Sequence, residues 1–354
     1  MPELNGLATA IGSLPHKDAD TALDLVFKYT PQAPFWPQLP KRDIREGMIA
    51  QFTENFSCIS PAHPDSLSSG VYLRNENGLE AFYEKIINQD VEYFRITRDY
   101  AAGLYAFKER LNSQPDLLKE IRYIKCHVTG PFTFGASLKD ENNRAYLHDS
   151  VFMQAFIKGL AMKAAWQVKF FSEFGKGIIL FIDEPFLGCF GSAYTPLTRE
   201  NAVSVLQEFT GSIKQAGNVM LGVHCCGNTD WSIFTEVEGI GIINFDAFNF
   251  QDRLLLYAGD INKFLKRGGI ICWGIVPTQE FNNSEPAGLL AGKILEAIEI
   301  LAKKGVDKGL LLKNMLISPA CGLGSLDSKK ADKILERLSE TSILLRKKIL
   351  EENT

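Results

Sequence analysis

The sequence lacks the features that mark a membrane or exported protein. In its 354 residues, no apolar run approaches the roughly 18 residues that a membrane span requires. The opening Met-Pro-Glu-Leu-Asn-Gly has neither the basic flank nor the long apolar stretch of a secretory signal peptide. We therefore predict a cytoplasmic protein with no membrane partner.

A surplus of basic residues and a regular cysteine framework are also missing. Lys and Arg total 38 against 42 Asp and Glu, so the formal net charge is -4. Proteins that bind nucleic acid usually carry a basic surplus that offsets phosphate charge, so we predict no nucleic-acid partner. The 7 cysteines are odd in number and scattered along the chain, which predicts free thiols and not disulfides.

Short apolar runs alternate with amphipathic stretches from about residue 120 onward. The runs are rich in β-branched residues and several are introduced by Gly, which is typical of strands buried on both faces. They lie at 123–128, 177–182, 219–223, 241–245, 269–274 and 315–317. Helical patterns separate them; one begins near 283–286 and ends at Gly305.

With two further apolar segments upstream, at 7–11 and 34–36, the alternation amounts to eight βα units. Eight units in this length predict an α/β fold, a single (β/α)8 TIM barrel formed by residues 1–354. A doubly wound open sheet is the alternative, but no Gly-x-Gly-x-x-Gly follows the first run. Residues 57–90 fit neither pattern, and their Pro and Asn-Gly turn signals predict a hairpin-bearing insertion near the barrel mouth.

Metal-ligand residue types recur where the predicted strands end, which is where barrels place their chemistry. His224 and Cys226 follow one run, and Cys321 follows the last run 95 residues later. Two thiolates and an imidazole suit Zn²⁺ and leave a fourth position open, as in catalytic zinc sites. Asp246, 20 residues after Cys226, is a candidate fourth ligand or a partner of one. Buried packing of the His-Cys-Cys run is the alternative explanation.

Two other strand ends carry candidate substrate-binding groups. Asp183-Glu184-Pro185 ends a nearly pure apolar run, so at least one carboxylate should face the barrel mouth. Such a carboxylate can bind an ammonium group, act as a base or cap the next helix. Gly12-Ser13 follows the first run, where Gly-Ser is also common in simple turns.

Taken together, five segments resemble the catalytic half of the cobalamin-independent methionine synthase family, in the barrel superfamily that includes uroporphyrinogen decarboxylase. They span most of the chain in the order of the family, and the His-x-Cys with a distant Cys-Gly-Leu is their specific part. The segments are Ile11-Gly12-Ser13-Leu14-Pro15, Thr129-Gly130-Pro131, Ile182-Asp183-Glu184-Pro185, His224-Cys225-Cys226 and Pro319-Ala320-Cys321-Gly322-Leu323.

This resemblance implies roles for individual residues. It implies a zinc ion held by His224, Cys226 and Cys321, with Asp246 where the family usually has Glu. It also implies that Asp183 holds the amino group of homocysteine, and that Gly12 and Ser13 hold its carboxylate. Asp183 and His224 are then the residues predicted to take part in catalysis.

Two departures from the family bear on the methyl donor. The 354 residues leave no room for the extra amino-terminal barrel of the family, and Phe132-Thr133 stands where folate-using enzymes carry Trp-Ser. The run His224-Cys225-Cys226-Gly227-Asn228 is also similar to zinc methyltransferases that demethylate corrinoid proteins. We therefore predict methyl transfer to homocysteine or another small thiol, with a methyl-corrinoid or a corrinoid protein as donor.

Other functions remain open at this point. Methyl-tetrahydrofolate is the alternative donor within the same reaction. A lyase similar to uroporphyrinogen decarboxylase would keep the barrel without the metal, but it needs a basic, porphyrin-sized cavity. A non-catalytic corrinoid-binding partner would keep the fold and lack the activity. Zinc content and methyl transfer to thiols distinguish these possibilities.

Overall fold

The structure is a computed structural model that describes residues 4–192, 195 and 197–352. In this part of the chain, seven strands form one parallel sheet flanked by helices, and two strands form a separate antiparallel pair. The strands are β1 (Leu7–Ala8), β2 (Ile59–Pro61), β3 (Tyr72–Arg74), β4 (Tyr123–Thr129), β5 (Gly177–Asp183), β6 (Val219–Cys225), β7 (Ile242–Asp246), β8 (Ile270–Val276) and β9 (Met315–Pro319). The order across the parallel sheet is β1-β9-β8-β7-β6-β5-β4.

Helices connect these strands and cover the outside of the sheet. They are α1 (Ala19–Tyr29), α2 (Ala50–Thr53), α3 (Ser66–Ser69), α4 (Glu76–Ile87), α5 (Ala102–Ser113), α6 (Pro131–Ser137), α7 (Ser150–Phe171), α8 (Arg199–Lys214), α9 (Trp231–Glu236), α10 (Ala247–Leu254), α11 (Ala258–Lys266), α12 (Ala287–Lys303), α13 (Lys308–Lys313) and α14 (Ser328–Glu352). Helix α12 begins directly after the predicted start signal at 283–286. Over the described residues, no helix has the length and apolar character needed to cross a bilayer.

The strands of the parallel sheet are mostly apolar because both faces of the sheet are buried. Ile178, Leu180 and Ile182 of β5 belong to the large core between the sheet and the helices. Ile179 and Phe181 of the same strand belong to a second, smaller cluster on the other face. A strand buried in this way shows no alternation of polar and apolar residues, which is why short unbroken runs predicted the strand positions.

The prediction of eight strands is wrong at residues 34–36, which form no strand in the described structure. Phe35 makes a single parallel bridge to Lys125 of β4, and Gln38 makes another to Ser13 just beyond β1. Since β1 and β4 are opposite edges of the sheet, contact of one segment with both shows that the sheet is curled. The architecture is therefore a curled seven-stranded sheet and not a closed eight-stranded barrel.

Residues 57–90 contain the antiparallel pair β2–β3, with Ile59 opposite Arg74, followed by α4. This segment is joined to the loop that follows α6, because Val71 makes an isolated bridge to Lys139. The loop belongs to the connection that leaves the carboxyl end of β4. Residues 57–90 therefore attach at the end of the sheet where the strands finish.

Candidate active site

A cavity of about 290 Å³ opens at the carboxyl ends of the parallel strands. Its polar lining includes Ser13, Asp183 and the group formed by His224, Cys226 and Cys321. Its apolar lining comes from side chains such as Ile11, Pro40, Met48 and Pro185. Most residues that the sequence predicts for the site thus line one cavity.

His224, Cys226 and Cys321 form the one group of metal-ligating side chains found among the described residues, with ligand atoms within 4.8 Å of one another. His224 lies in β6, Cys226 directly follows it, and Cys321 lies just beyond β9. Two strands separate β6 from β9 in the sheet. At about 4.8 Å between neighbouring strands, a flat sheet would hold β6 and β9 about 14 Å apart. The curl of the sheet therefore brings the three side chains together.

The orientation of the His224 ring is set by Asn244 of β7. The Asn244 Nδ2 atom donates to the Cys272 carbonyl at 3.1 Å and to the Ser318 hydroxyl at 2.8 Å. Because the amide nitrogen is used in this way, Asn244 Oδ1 faces His224 Nδ1 and accepts a hydrogen bond from its N–H. In the neutral imidazole, His224 Nε2 is then the unprotonated atom, and it is buried without a well-formed hydrogen bond.

The two thiols of the group perturb each other and the imidazole. A hydrogen bond with Cys321 lowers the pKa of Cys226, and the same contact, with burial, raises the pKa of Cys321. Burial opposes protonation of His224, but Cys321 and the charge of Asp183 outweigh it and raise the pKa of the imidazole. Perturbed pKa values clustered in so small a volume are typical of functional sites.

This donor set fits a zinc ion. Tetrahedral zinc at the usual bond lengths separates its nitrogen and sulfur ligands by about 3.4–3.8 Å, so a group within 4.8 Å needs little adjustment. The orphaned His224 Nε2 atom and the two Sγ atoms are the ligand types that Zn²⁺ prefers. The hydrogen bond from Nδ1 to Asn244 matches the outer contact that metal-binding histidines usually make.

Asp246 does not join the metal-ligating group. Its Oδ1 accepts from the main-chain N–H of Asn249 at 2.9 Å, and its Oδ2 accepts from the Asn249 side chain at 2.8 Å. Asp246 is thus the N-cap of α10. Its carboxylate is already used by the helix that follows, which explains an acid at this strand end without a metal.

Asp183 and Glu184 are consecutive acids with different surroundings at the end of β5. Asp183 lines the cavity, and its Oδ1 is buried without a hydrogen bond. Burial raises the pKa of Asp183 to about 6, against the opposing charges of Lys125 and His224. Glu184 instead accepts from the main-chain N–H groups of Phe132 and Thr133 at 2.9 and 2.8 Å, and so caps α6. Only Asp183 is therefore free to bind a cation in the cavity.

The Gly12-Ser13 turn is packed tightly against its neighbours. Gly12 has φ +146°, and a Cβ there would lie 2.5 Å from the His127 ring, so only glycine fits. The Ser13 carbonyl accepts from Leu323 N–H at 3.0 Å, and its hydroxyl accepts from Gly324 N–H at 3.2 Å. The loop after β1 is thus locked to the loop that carries Cys321.

Three residues that line the cavity or support its lining were not predicted from the sequence: Asn244, Lys125 and Met48. Asn244 and Lys125 stand inside apolar runs that we interpreted as strands, and the signal was present in both cases. A polar side chain in a strand buried on both faces must find a partner, so it indicates an organised polar site. Met48 lies in an irregular loop, where nothing in the pattern marks it.

Comparison with known proteins gives little beyond this geometry. No protein-family model matches the chain, and no curated protein matches it. Among solved structures, it is similar to a B12-independent methionine synthase from Shewanella sp. W3-18-1 in complex with selenomethionine. That match has 18% sequence identity and a TM-score of 0.46, and it covers 68% of each chain. Similarity of this degree assigns no activity, so the functional argument rests on the residues of the cavity.

Proposed function

We propose that this protein is a zinc-dependent methyltransferase that methylates the thiol of homocysteine to give methionine, with a methyl-corrinoid as donor. The observation that carries the proposal is the convergence of His224, Cys226 and Cys321 on the cavity that Asp183 also lines. A candidate zinc site and a buried acid in one small cavity are what activation and orientation of an amino-acid thiol require.

The zinc ion would be held by His224 Nε2 and the Sγ atoms of Cys226 and Cys321. Three protein ligands leave one position exchangeable, as in catalytic and not structural zinc sites. When bound, the ion supplies Lewis acidity that favours the thiolate of an acceptor thiol, which is the nucleophilic form. Asn244 keeps the imidazole in the tautomer that this requires.

The protein side chains would orient the acceptor. The Asp183 carboxylate has an unpartnered oxygen on the cavity, so an ammonium group supplies the contact that it lacks. The loop at Gly12 and Ser13, fixed against the Cys321 loop, would receive the carboxylate of the acceptor. The thiol of an amino acid held at both ends then points toward His224, Cys226 and Cys321.

The cavity size favours a small acceptor. About 290 Å³ lies at the lower limit of small-molecule sites, which usually span roughly 300–1,000 Å³. Homocysteine is small enough for a cavity of this volume, whereas a tetrapyrrole is far too large for it. The lining also offers no cluster of Arg or Lys for porphyrin carboxylates among the described residues. These features argue against a lyase similar to uroporphyrinogen decarboxylase.

The size of the cavity also restricts how a donor can approach. A corrinoid is a tetrapyrrole macrocycle, so it would present its methyl group from outside the cavity and not enter it. A methyl group on corrinoid cobalt is also a better electrophile than one on the tertiary amine of folate. A chain with a small acceptor site, and with Phe132-Thr133 where folate-using enzymes carry Trp-Ser, can therefore use the corrinoid donor, free or on a corrinoid protein.

Parallel donor assays test the reaction. Zinc-loaded protein is incubated with homocysteine and either methylcobalamin or methyl-tetrahydrofolate at matched concentration, and methionine is quantified. We expect turnover with methylcobalamin to exceed turnover with methyl-tetrahydrofolate by at least tenfold. Faster turnover with the folate would restore the ordinary methionine synthase reaction. No methionine from either donor, in protein with full zinc content, would favour a non-catalytic role.

The variant Asp183→Asn tests the assignment of the acceptor. A charge-assisted hydrogen bond contributes about 1.5–3 kcal/mol, so its loss should weaken homocysteine binding about tenfold or more and leave zinc in place. Asp246→Asn is the matched control, because it removes a strand-end carboxylate that already caps a helix. Unchanged affinity in Asp183→Asn would exclude Asp183 as the ammonium partner.

A further inference from the structure

Lys125 is a fully buried cation below the cavity. It lies in β4, is 0% exposed, and its Nζ donates to the main-chain carbonyl of Ile11. Its Nζ also lies 4.6 Å from the centroid of the Phe181 ring, which belongs to the inner cluster. Tyr123, two residues earlier on the same face of β4, belongs to that cluster as well. Lys125 is therefore on the concave side of the curled sheet, behind Ile11.

No carboxylate in the described part of the chain makes an ion pair with Lys125. Burial lowers the pKa of Lys125 to about 8, against the opposing charge of Asp183, so the side chain remains largely cationic at neutral pH. An ammonium group buried without a contacting counter-ion is costly. The site therefore carries a positive charge that none of its described side chains neutralises by direct contact.

We propose that Lys125 supplies the charge that makes the Ser13 end of the cavity a binding site for the carboxylate of the acceptor. Ile11 and Ser13 line the cavity, and the Ile11 carbonyl accepts the hydrogen bond from Lys125 Nζ. The cation thus contacts the backbone of a residue that lines the cavity. In a buried environment its field is weakly screened.

This inference rests on the proposed function and specifies its acceptor class. Asp183 offers a negative charge to the cavity, and Lys125 a positive one from behind the loop. A zwitterionic amino-acid thiol is complementary to both, whereas a thiol without a carboxylate uses only Asp183. Lys125 is a positioning residue, since it contacts the loop and not the acceptor.

Two ligands, one with and one without a carboxylate, test whether Lys125 favours carboxylate binding or only stabilises the fold. L-homocysteine and 3-aminopropanethiol share the thiol and the amine, but only the first has a carboxylate. Their affinities are measured by calorimetry on zinc-loaded protein. We expect the wild type to prefer homocysteine at least tenfold. Equal affinities for the two ligands would overturn the inference without any variant.

Lys125→Gln and Lys125→Met then identify the charge as the cause. Gln keeps a donor for the Ile11 carbonyl without the charge, and Met removes both. We expect each variant to bind homocysteine at least tenfold more weakly and 3-aminopropanethiol within twofold of wild type, with zinc content unchanged. Full homocysteine affinity in Lys125→Gln would show that only the hydrogen bond matters and would overturn the inference. If the wild type binds neither ligand, the proposed function itself fails, and the inference fails with it.

Discussion

Replacing Asn244 with Leu tests whether His224 is held ready as a metal ligand. Asn244 Oδ1 accepts a hydrogen bond from Nδ1–H of the imidazole, which leaves Nε2 unprotonated in the neutral ring. Leu is close to Asn in length but accepts no hydrogen bond, so the ring loses the contact that sets its tautomer and its rotation. Loss of such an outer contact typically weakens metal binding 10–100-fold. The binding free energy of zinc would then be weakened by about 1.4–2.7 kcal/mol.

The assay is a zinc titration of metal-free protein in competition with a chromophoric chelator at neutral pH. Substitution by Co²⁺ gives an independent readout, since its absorption bands report thiolate ligation and tetrahedral geometry. Cys321→Ser is the positive comparison and should lose most of the zinc, because it removes a ligand and not a supporting contact. Urea unfolding is measured alongside, since the Cys272 carbonyl loses its 3.1 Å donor and such a loss costs about 1–3 kcal/mol.

Ser318→Ala is the matched control. The Ser318 hydroxyl accepts from Asn244 Nδ2 at 2.8 Å and donates to the Pro319 carbonyl at 2.9 Å, on the side of Asn244 away from the imidazole. Its removal leaves the contact with His224 intact, so we expect zinc affinity within threefold of wild type. The reasoning is refuted if folded Asn244→Leu binds zinc as tightly as wild type, or if Ser318→Ala weakens binding equally.

Three further predictions concern two acids and a lysine that lie outside the proposed zinc site. Asp246→Ala should lose about 0.5–2 kcal/mol of stability with the α10 cap but keep its zinc, whereas zinc loss measured by metal analysis would make it a ligand. Glu184→Gln should cost about 1–3 kcal/mol in urea unfolding, because its amide nitrogen must face one of the N–H donors of Phe132 and Thr133; an unchanged midpoint contradicts this. Lys163 is buried without a hydrogen bond, and burial lowers its pKa to about 7. The pKa of this lysine in the unfolded chain is near 10.5. Between pH 7 and that pKa the unfolded state binds more protons than the folded state, so the stability of the wild type should rise with pH. Lys163→Met should therefore be more stable than wild type by about 1–4 kcal/mol at pH 7, and a gain that does not shrink toward pH 9.5 contradicts the argument.

The fold could be predicted from the sequence where burial alone determines the pattern. Strands β4 to β9 coincide with short apolar runs, since a parallel strand covered on both faces has no polar side. The segment at 34–36 has the same apolar character but forms only isolated bridges. Pro34 and Pro37 lack the N–H groups that a ladder needs, so this segment closes the gap between β1 and β4 without becoming a strand.

The candidate site could be predicted only in part. His224 and Cys226 are two residues apart at a strand end, a spacing that already suggests shared ligation. The roles of Asp183 and Asp246 could not be separated by their type and position, since both acids end a buried strand. The distinction lies in the next residues: Asn249, three positions after Asp246, offers its main-chain N–H to the carboxylate as an N-cap. Glu184 plays the capping role beside Asp183, which leaves Asp183 to the cavity.

The position of the group formed by His224, Cys226 and Cys321 depends on contacts outside the group. Cys321 approaches His224 and Cys226 only because the sheet is curled, and the curl brings its two edges to the same short segment. That segment is anchored on one side by the Gln38 N–H, which donates to the Gly12 carbonyl at 3.0 Å, and by the Leu14 N–H, which donates to the Gln38 carbonyl at 2.8 Å. These bonds hold the loop after β1, to which the Cys321 loop is in turn locked. The position of Cys321 in the candidate metal site therefore depends on backbone contacts around Gln38, which has no metal-ligating side chain.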